Sequence, residues 1–240
     1  MQRVAVLSDV HGNAVALEAV LAELRSEEPD LVVLGGDLTW GPLPRETLSL
    51  VRGLDVPTRF VRGNAERVLL DQTDEPTERT RWLRDRHTEA DLALVRTFEE
   101  QIVIEIDGLG PVRFCHGSPR SDIELVTPET PETRVREWPA LAERVVVTAH
   151  THVQFDRRVA GLRSLNAGSV GMAYEPSPGA YWAVLGPDVD LRRTSYSVDD
   201  AATAYDASGY PATEQMLEIL RTPPTRAEVI AHAEQHVFSN

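Results

Sequence analysis

Five times along this chain a short apolar run ends, within a few residues, in aspartate, asparagine or histidine. Val4-Ala5-Val6-Leu7 leads into Asp9 and His11, Leu31-Val32-Val33-Leu34 into Asp37, and Thr58-Arg59-Phe60-Val61 into Asn64. Val112-Arg113-Phe114-Cys115 leads into His116, and Arg144-Val145-Val146-Val147-Thr148 into His150 and His152. Short continuous apolar runs are what central strands need when both faces of a sheet are covered. Between the first two runs Leu17, Val20, Leu21 and Leu24 recur at helical spacing, with Asn13 placed as an N-cap. A helix near Arg45–Arg52 follows the second run. Strand–helix–strand units build parallel sheets with helices outside, and such sheets bind ligands beyond the carboxyl ends of their strands. The pattern therefore predicts one sheet edge where Asp, His and Asn side chains collect.

The rest of the chain has other textures. Residues 76–99 are polar and helical, as in an inserted cap. From Gln101 onward the runs become shorter and alternate. Ile102–Ile106 and Val112–Cys115 flank Asp107-Gly108-Leu109-Gly110, a hairpin signal. Phe155–Val159, Arg163–Leu165, Tyr181–Leu185 and Leu191–Ser197 are further strands joined by Gly and Pro turns. From Asp199 the chain is a helical tail of two pieces split by Pro223-Pro224.

Composition narrows the function classes. The 240 residues are 42% hydrophobic and 26% charged, which excludes collagen-like, disordered and disulfide-scaffold chains. No apolar run approaches the ~18 residues of a membrane-spanning helix, and no membrane association is expected. The start at Met1-Gln2-Arg3 lacks the order of a secretory signal, and a single cysteine, Cys115, allows no internal disulfide. A reducing cytoplasm is the expected location. All 24 basic residues are arginine against 38 acidic ones, for a net charge of −14. Such a surface repels nucleic-acid backbones, so non-specific nucleic-acid binding is not expected. A small anionic substrate remains open, because bound metal can invert the local field. A homo-oligomer also remains open.

Four of the seven histidines fall in the strand-end clusters, with two aspartates and an asparagine. Imidazole with carboxylate suits a first-row divalent metal such as manganese, iron, zinc or nickel. Seven candidate ligands are too many for one ordinary site and suit two sites sharing a carboxylate. Asp37 follows Gly35-Gly36, where little bulk crowds its approach, and is the candidate bridge. Asp9 and His11 are two apart, as are His150 and His152. In a regular strand each pair would share a face and reach one ion.

Ser8-Asp9-Val10-His11-Gly12-Asn13, Gly36-Asp37, Gly63-Asn64, His116-Gly117 and His150-Thr151-His152, in this order, resemble the calcineurin-like metallophosphoesterase superfamily, small bacterial or archaeal type. Asn166-Ala167-Gly168-Ser169-Val170-Gly171 is similar to a late turn of its small bacterial members. The likeness covers roughly residues 3–186. It implies an α/β fold, a two-sheet α/β/β/α sandwich with the metal site at the carboxyl ends of the strands. It also implies a domain over 1–198 and leaves 199–240 as a C-terminal helical tail. One divalent ion would be held by Asp9, His11, Asp37 and His152, the other by Asp37, Asn64, His116 and His150. Asn64 and His116 would sit at the catalytic centre, with Asn13, Asn64 and Arg67 toward the substrate. Two such ions clamp and activate a water for in-line attack on phosphorus.

One position departs from the pattern. The superfamily usually carries histidine after Gly-Asn, where it can protonate the leaving oxygen; here Ala65 follows Asn64. Loss of a general acid costs ~10²–10⁴-fold for poor leaving groups and less for good ones. His87 is a candidate substitute, against its plainer reading as a surface helix residue. Arg67 fits a phosphate fork or a structural salt bridge. Cys115 reads as a small buried hydrophobe, Trp40 as packed or stacking, Ser118 as a phosphate contact or turn support, and His232 and His236 as solvent-facing.

The expected activity is that of a metal-dependent phosphoesterase acting on a small phosphodiester or nucleotide-type substrate. The alternatives are a scaffold that kept the fold and lost turnover, and a phosphomonoesterase or protein phosphatase.

Overall fold

The structure, a computed structural model, describes residues 1–71 and 76–239. Asn240, the last residue of the expected tail, lies outside them. The first third alternates as the apolar runs require: β1 (Val4–Leu7), α1 (Ala14–Leu24), β2 (Leu31–Leu34), α2 (Pro44–Arg52), β3 (Thr58–Phe60) and α3 (Asn64–Leu70). Asn13 does cap α1, its Oδ1 accepting the Ala16 N–H at 3.1 Å. The polar stretch after residue 76 folds as α4 (Glu78–Arg86) and α5 (Glu89–Val95), each opened by a threonine cap.

The second half supplies β4 (Gln101–Ile106), β5 (Gly110–Cys115), the short α6 (Glu132–Val135), β6 (Val145–Thr148), β7 (Phe155–Val159), β8 (Leu162–Asn166), β9 (Ala180–Leu185) and β10 (Val189–Thr194). The tail forms three helices and not two: α7 (Val198–Ser208), α8 (Thr213–Arg221) and α9 (Arg226–Gln235). The extra break lies at Gly209, which ends α7 in the left-handed conformation at φ 69°. A C-terminal glycine of this kind stops a helix without side-chain strain, and Pro211 lies just beyond it.

Two five-stranded sheets result, ordered β10-β9-β1-β2-β3 and β4-β5-β6-β8-β7. Strands β1, β2 and β3 are parallel, as are β5, β6 and β8, while β9, β10, β4 and β7 run antiparallel to their neighbours. Side-chain alternation decides the layering. Val4 and Val6 of β1 join Ile104, Val112, Phe114 and Val147 in a core between the two sheets. Ala5 and Leu7, pointing the other way, meet Leu17, Val20 and Leu21 of α1 and Leu48 of α2. The outer face of the second sheet packs Cys115, Val146 and Phe155 against Val135 and Trp138. The fold is thus an α/β/β/α sandwich.

A fourth core joins the tail to the body. Tyr205, Tyr210, Met216 and Leu217 pack with Leu43, Leu69 and Leu83. No helix among the described residues is long and apolar enough to cross a membrane.

Trp182 of β9 is fully buried in the outer core of the first sheet, and its Nε1–H donates to Thr194 Oγ1 at 2.9 Å. Trp182→Ala removes a large ring and one of the two hydrogen bonds of that hydroxyl, which keeps its bond to Glu23, so a loss of about 3–5 kcal/mol is expected in urea unfolding. A loss below about 1 kcal/mol would mean that this layer carries little of the stability.

Candidate metal centre

The seven residues singled out at strand ends converge, although not by the geometry expected for a regular strand. Asp9 and His11 lie beyond β1, Asp37 beyond β2, and His150 and His152 beyond β6. All five have left-handed backbones, with φ of 52°, 49°, 51°, 66° and 56° respectively. Only two other described non-glycine residues, Glu28 and Ala160, share that region. Such conformations cost roughly 1–3 kcal/mol each and persist where surrounding bonds over-determine them. Those bonds are present. Asp9 N–H donates to Gly36 O at 3.0 Å, His11 N–H to Asp37 O at 2.9 Å and Ala149 N–H to His116 O at 2.7 Å. The turn at residues 166–171 also braces the site. Ser169 Oγ–H donates to Asp9 O at 2.7 Å, and Asn166 Nδ2–H to Ala149 O at 2.8 Å.

Gly36 shows why bulk is excluded beside Asp37. A Cβ there would lie 2.6 Å from His116 Nδ1 and 2.7 Å from Gly63 N, at a φ of 99°.

The side chains form two groups whose ligand-type atoms lie within 4.8 Å of one another: Asp9, His11 and His152, and Asp37, His116 and His150. In the first, His11 Nδ1–H donates to Trp40 O (3.2 Å) and His152 Nδ1–H to Met172 O (2.8 Å). Their Nε2 lone pairs then face each other at 3.1 Å, with Asp9 Oδ1 3.3 Å from His152 Nε2. Asp9 Oδ1 is buried and has no hydrogen-bond partner. Converging lone pairs out of water repel one another unless a cation sits among them. The donor set therefore fits a divalent metal.

In the second group His116 Nδ1–H donates to Gly35 O (2.8 Å), and Nε2 lies 3.0 Å from Asn64 Oδ1 and 3.4 Å from Asp37 Oδ1. Asp37 spans both groups, since its other oxygen lies 3.7 Å from His11 Nε2. Burial alone would lower His116, but the Asp37 and Asp9 carboxylates and the Gly35 carbonyl outweigh it and raise the imidazole to about 10. Burial likewise pushes Asp37 up, yet His116 and His11 hold its carboxyl well below the usual range. His150 is pushed down to about 4, by burial first and by His116 next. Without metal, a proton on His116 offsets one of the two carboxylate charges of the cluster.

The centre opens into a cavity of about 750 Å³. Its walls include Trp40, Val68 and Tyr174, Thr80 from α4, and Val229 and His232 from α9. Ala65 and Asn64 also face it. Tyr174 stacks on His152 with ring centres 5.0 Å apart.

Other expected residues are placed differently. Asn13 is fully buried, and its amide N–H groups go to Gly171 O and Tyr196 Oη, away from the cavity. Arg67 Nε–H donates to Asp122 Oδ2 at 2.6 Å, and the side chain lines a second, smaller cavity on another side of His116. His87 is neither at the surface nor at the centre. It is buried, with Nδ1–H on Leu83 O (2.7 Å) and Nε2 facing Thr39 Oγ1 (3.1 Å). Ser118 Oγ accepts Arg120 N–H at 3.2 Å and so supports its turn. Cys115 is buried, and burial raises its thiol far above the ordinary value. His232 and His236 are exposed and stack at 4.4 Å, as a solvent face allows, though His232 also lines the cavity.

Glu66, a candidate proton source beside Ala65 in the sequence, has a different part. Its carboxylate accepts the N–H groups of Asp37 (2.9 Å), Leu38 (2.7 Å) and Gly63 (2.9 Å), fixing the Asp37 backbone. The available signal was an acidic residue in the first turn of α3, which reads as an ordinary capping residue.

A family model described as the calcineurin-like phosphoesterase superfamily domain matches residues 2–186. Among solved structures, a metallophosphoesterase from Sphaerobacter thermophilus is 26% identical, with a TM-score of 0.75 over 92% of this chain and 100% of that one. A hypothetical protein from Pyrococcus horikoshii OT3 is 19% identical, with a TM-score of 0.78 over 94% and 100%. A phosphoesterase from E. coli is 20% identical, with a TM-score of 0.57 over 81% and 96%. The latter two show the shared fold. No curated protein matches the sequence.

Two measurements test the centre. Asp37→Asn removes the charge that both groups share, and elemental analysis should find the metal content of the chain lost; an unchanged metal content in that variant would sink the shared role. Because His116 titrates near 10, it is protonated at neutral pH and must lose that proton to ligate. Metal affinity should therefore rise from neutral pH up to about 10, by roughly tenfold per unit for one released proton, and then level off. A profile that levels off near the ordinary imidazole value would contradict this.

Proposed function

The chain belongs to the calcineurin-like phosphoesterase superfamily, and on that premise we propose that it is a two-metal phosphoesterase acting on a small phosphodiester or nucleotide-type substrate. The observation that carries the reading is the buried lone-pair cluster of Asp9, His11 and His152 beside a second group that shares Asp37. A divalent pair held by these groups would supply an activated water and would neutralise charge growing on the phosphoryl oxygens. Manganese, iron, zinc and nickel all suit the donor set.

The protein's own residues do the rest. Asp37 holds the two groups together, and Asn64, beside His116 and lining the cavity, would be within reach of a bound metal and of substrate. The left-handed loops fix ligand directions before substrate arrives, which limits reorganisation during reaction. Trp40, Val68 and Tyr174 offer apolar and aromatic surface for the organic part of a substrate of nucleotide size. Arg67, held by Asp122, is assigned a structural part, and so is Asn13. The acidic surface and lone buried cysteine agree with a cytoplasmic enzyme without non-specific nucleic-acid binding.

Ala65 shapes the substrate preference. It lines the cavity but carries no proton donor, and its N–H donates to Asp37 Oδ1 at 2.9 Å. Neither His87 nor Glu66 replaces the missing acid, since both are bonded into the protein. Substrates whose leaving group departs without protonation are favoured: phosphoanhydrides and aryl esters. The same feature supports the second reading, a metal-binding scaffold without turnover.

Chelated protein reloaded with manganese should hydrolyse an aryl phosphodiester faster than an aryl phosphomonoester. Ala65→His should then speed alkyl or nucleoside esters by up to ~10²-fold while leaving nitrophenyl esters nearly unchanged. No turnover of any ester by the metal-loaded protein would leave the scaffold reading standing. An equal gain for both ester types would show that residue 65 acts on binding and not on the leaving group.

A further inference from the structure

Each of the four site histidines rests one ring nitrogen on a backbone carbonyl. For His11, His116 and His152 that nitrogen is Nδ1, and the carbonyls are those of Trp40, Gly35 and Met172. A carbonyl only accepts, so the nitrogen it touches carries the hydrogen. The nitrogen left for a metal is then Nε2 in all three.

His150 is reversed. Its Nε2–H donates at 2.8 Å to the carbonyl of Ser239, 89 residues along the chain. The nitrogen left for a metal is Nδ1. The carbonyl that decides this comes from the segment after α9, beyond the residues that the family model matches.

That segment is fastened in place. Leu125 N–H donates to Val237 O at 2.8 Å, Ser239 N–H donates to Ile123 O at 3.0 Å, and Glu124 and Phe238 form an antiparallel bridge. Upstream, the Glu234 carboxylate on α9 accepts from Thr127 Oγ1 at 3.0 Å and pairs with Arg134 at 3.1 Å. At the other end of α9, Arg226 donates to Gln154 O at 2.9 Å. The paired strip thus ends with a carbonyl aimed at one site histidine.

We infer that Val237–Ser239 is a working part of the metal centre. It is a positioning segment whose Ser239 carbonyl turns His150 so that Nδ1 is offered to the group formed with Asp37 and His116. This rests on the two-metal reading above. The segment acts through His150 and need not touch metal or substrate. Partners that orient ligating histidines are worth roughly 10–100-fold in metal affinity.

The test compares the full chain with a chain ending at His236 and with Ser239→Pro, which removes the N–H donated to Ile123. Metal-free protein is titrated with manganese by calorimetry, and the His150 ring tautomer is read from imidazole nitrogen shifts. In the full chain His150 should carry its hydrogen on Nε2. In both variants that preference should fade, and one of the two manganese affinities should drop by roughly 10–100-fold while the other holds. In a His150→Ala background the truncation should cost nothing further at that position, because the segment acts only through that ring. Where circular dichroism shows the truncated chain unfolded, Ser239→Pro decides.

Unchanged affinities in both variants, or a full-length His150 with its hydrogen on Nδ1, would overturn the inference. So would an equal loss at both positions in a folded variant, which would mark the segment as general support. A full chain that binds no manganese would instead overturn the two-metal reading, and the tautomer measurement would still decide this one.

Discussion

Lone pairs aimed at lone pairs in a dry place set the terms for this molecule. Asp9 Oδ1 and the Nε2 atoms of His11 and His152 meet where no N–H or O–H serves them. An unbalanced carboxylate in such a place costs several kcal/mol, and within the protein alone the proton on His116 offsets only one of the two carboxylate charges. The nearby structure holds those groups together against their repulsion. Left-handed backbones turn the ligands inward, backbone carbonyls fix the rings, and Gly36 lets the Asp37 loop pass close to His116. Glu66, buried and raised to about 7 by burial and by Asp37, supports the same loop.

Neither sheet makes the centre alone. β1, β2 and β3 deliver Asp9, His11, Asp37 and Asn64, whereas β5 and β6 deliver His116, His150 and His152. The two sets meet only because the sheets share an apolar core. The precision of a site with ligand atoms within 4.8 Å of each other therefore depends on packing between sheets, away from the chemistry. Close-packed interiors transmit small displacements poorly absorbed elsewhere, which makes the sandwich a suitable mount.

Chemistry and selection are carried by different layers. Ligands come from strand ends, but much of the cavity wall comes from α3, α4 and α9, pieces attached around the sandwich. Cavity-facing side chains such as Val68, Thr80 and Val229 can change its shape and polarity without touching the ligands. The cavity can thus be tailored to one substrate while the centre stays constant.

The sequence alone determined a great deal here. Short apolar runs ending in Asp, His and Asn specified parallel strands, a shared edge and the seven ligand candidates, because strand period and strand-end geometry are local properties of the backbone. Tertiary structure decided what local rules do not reach. Asp9 with His11, and His150 with His152, converge through left-handed loops and not through strand alternation, since bonds from distant segments impose those dihedrals. His87 is structural because Leu83 O and Thr39 Oγ1 meet both its nitrogens. The tail became three helices at Gly209, a break that periodicity did not mark. Ser239 carries no motif at all. Its role lies in a backbone carbonyl, which every residue has, and only the fold determines which carbonyl meets His150.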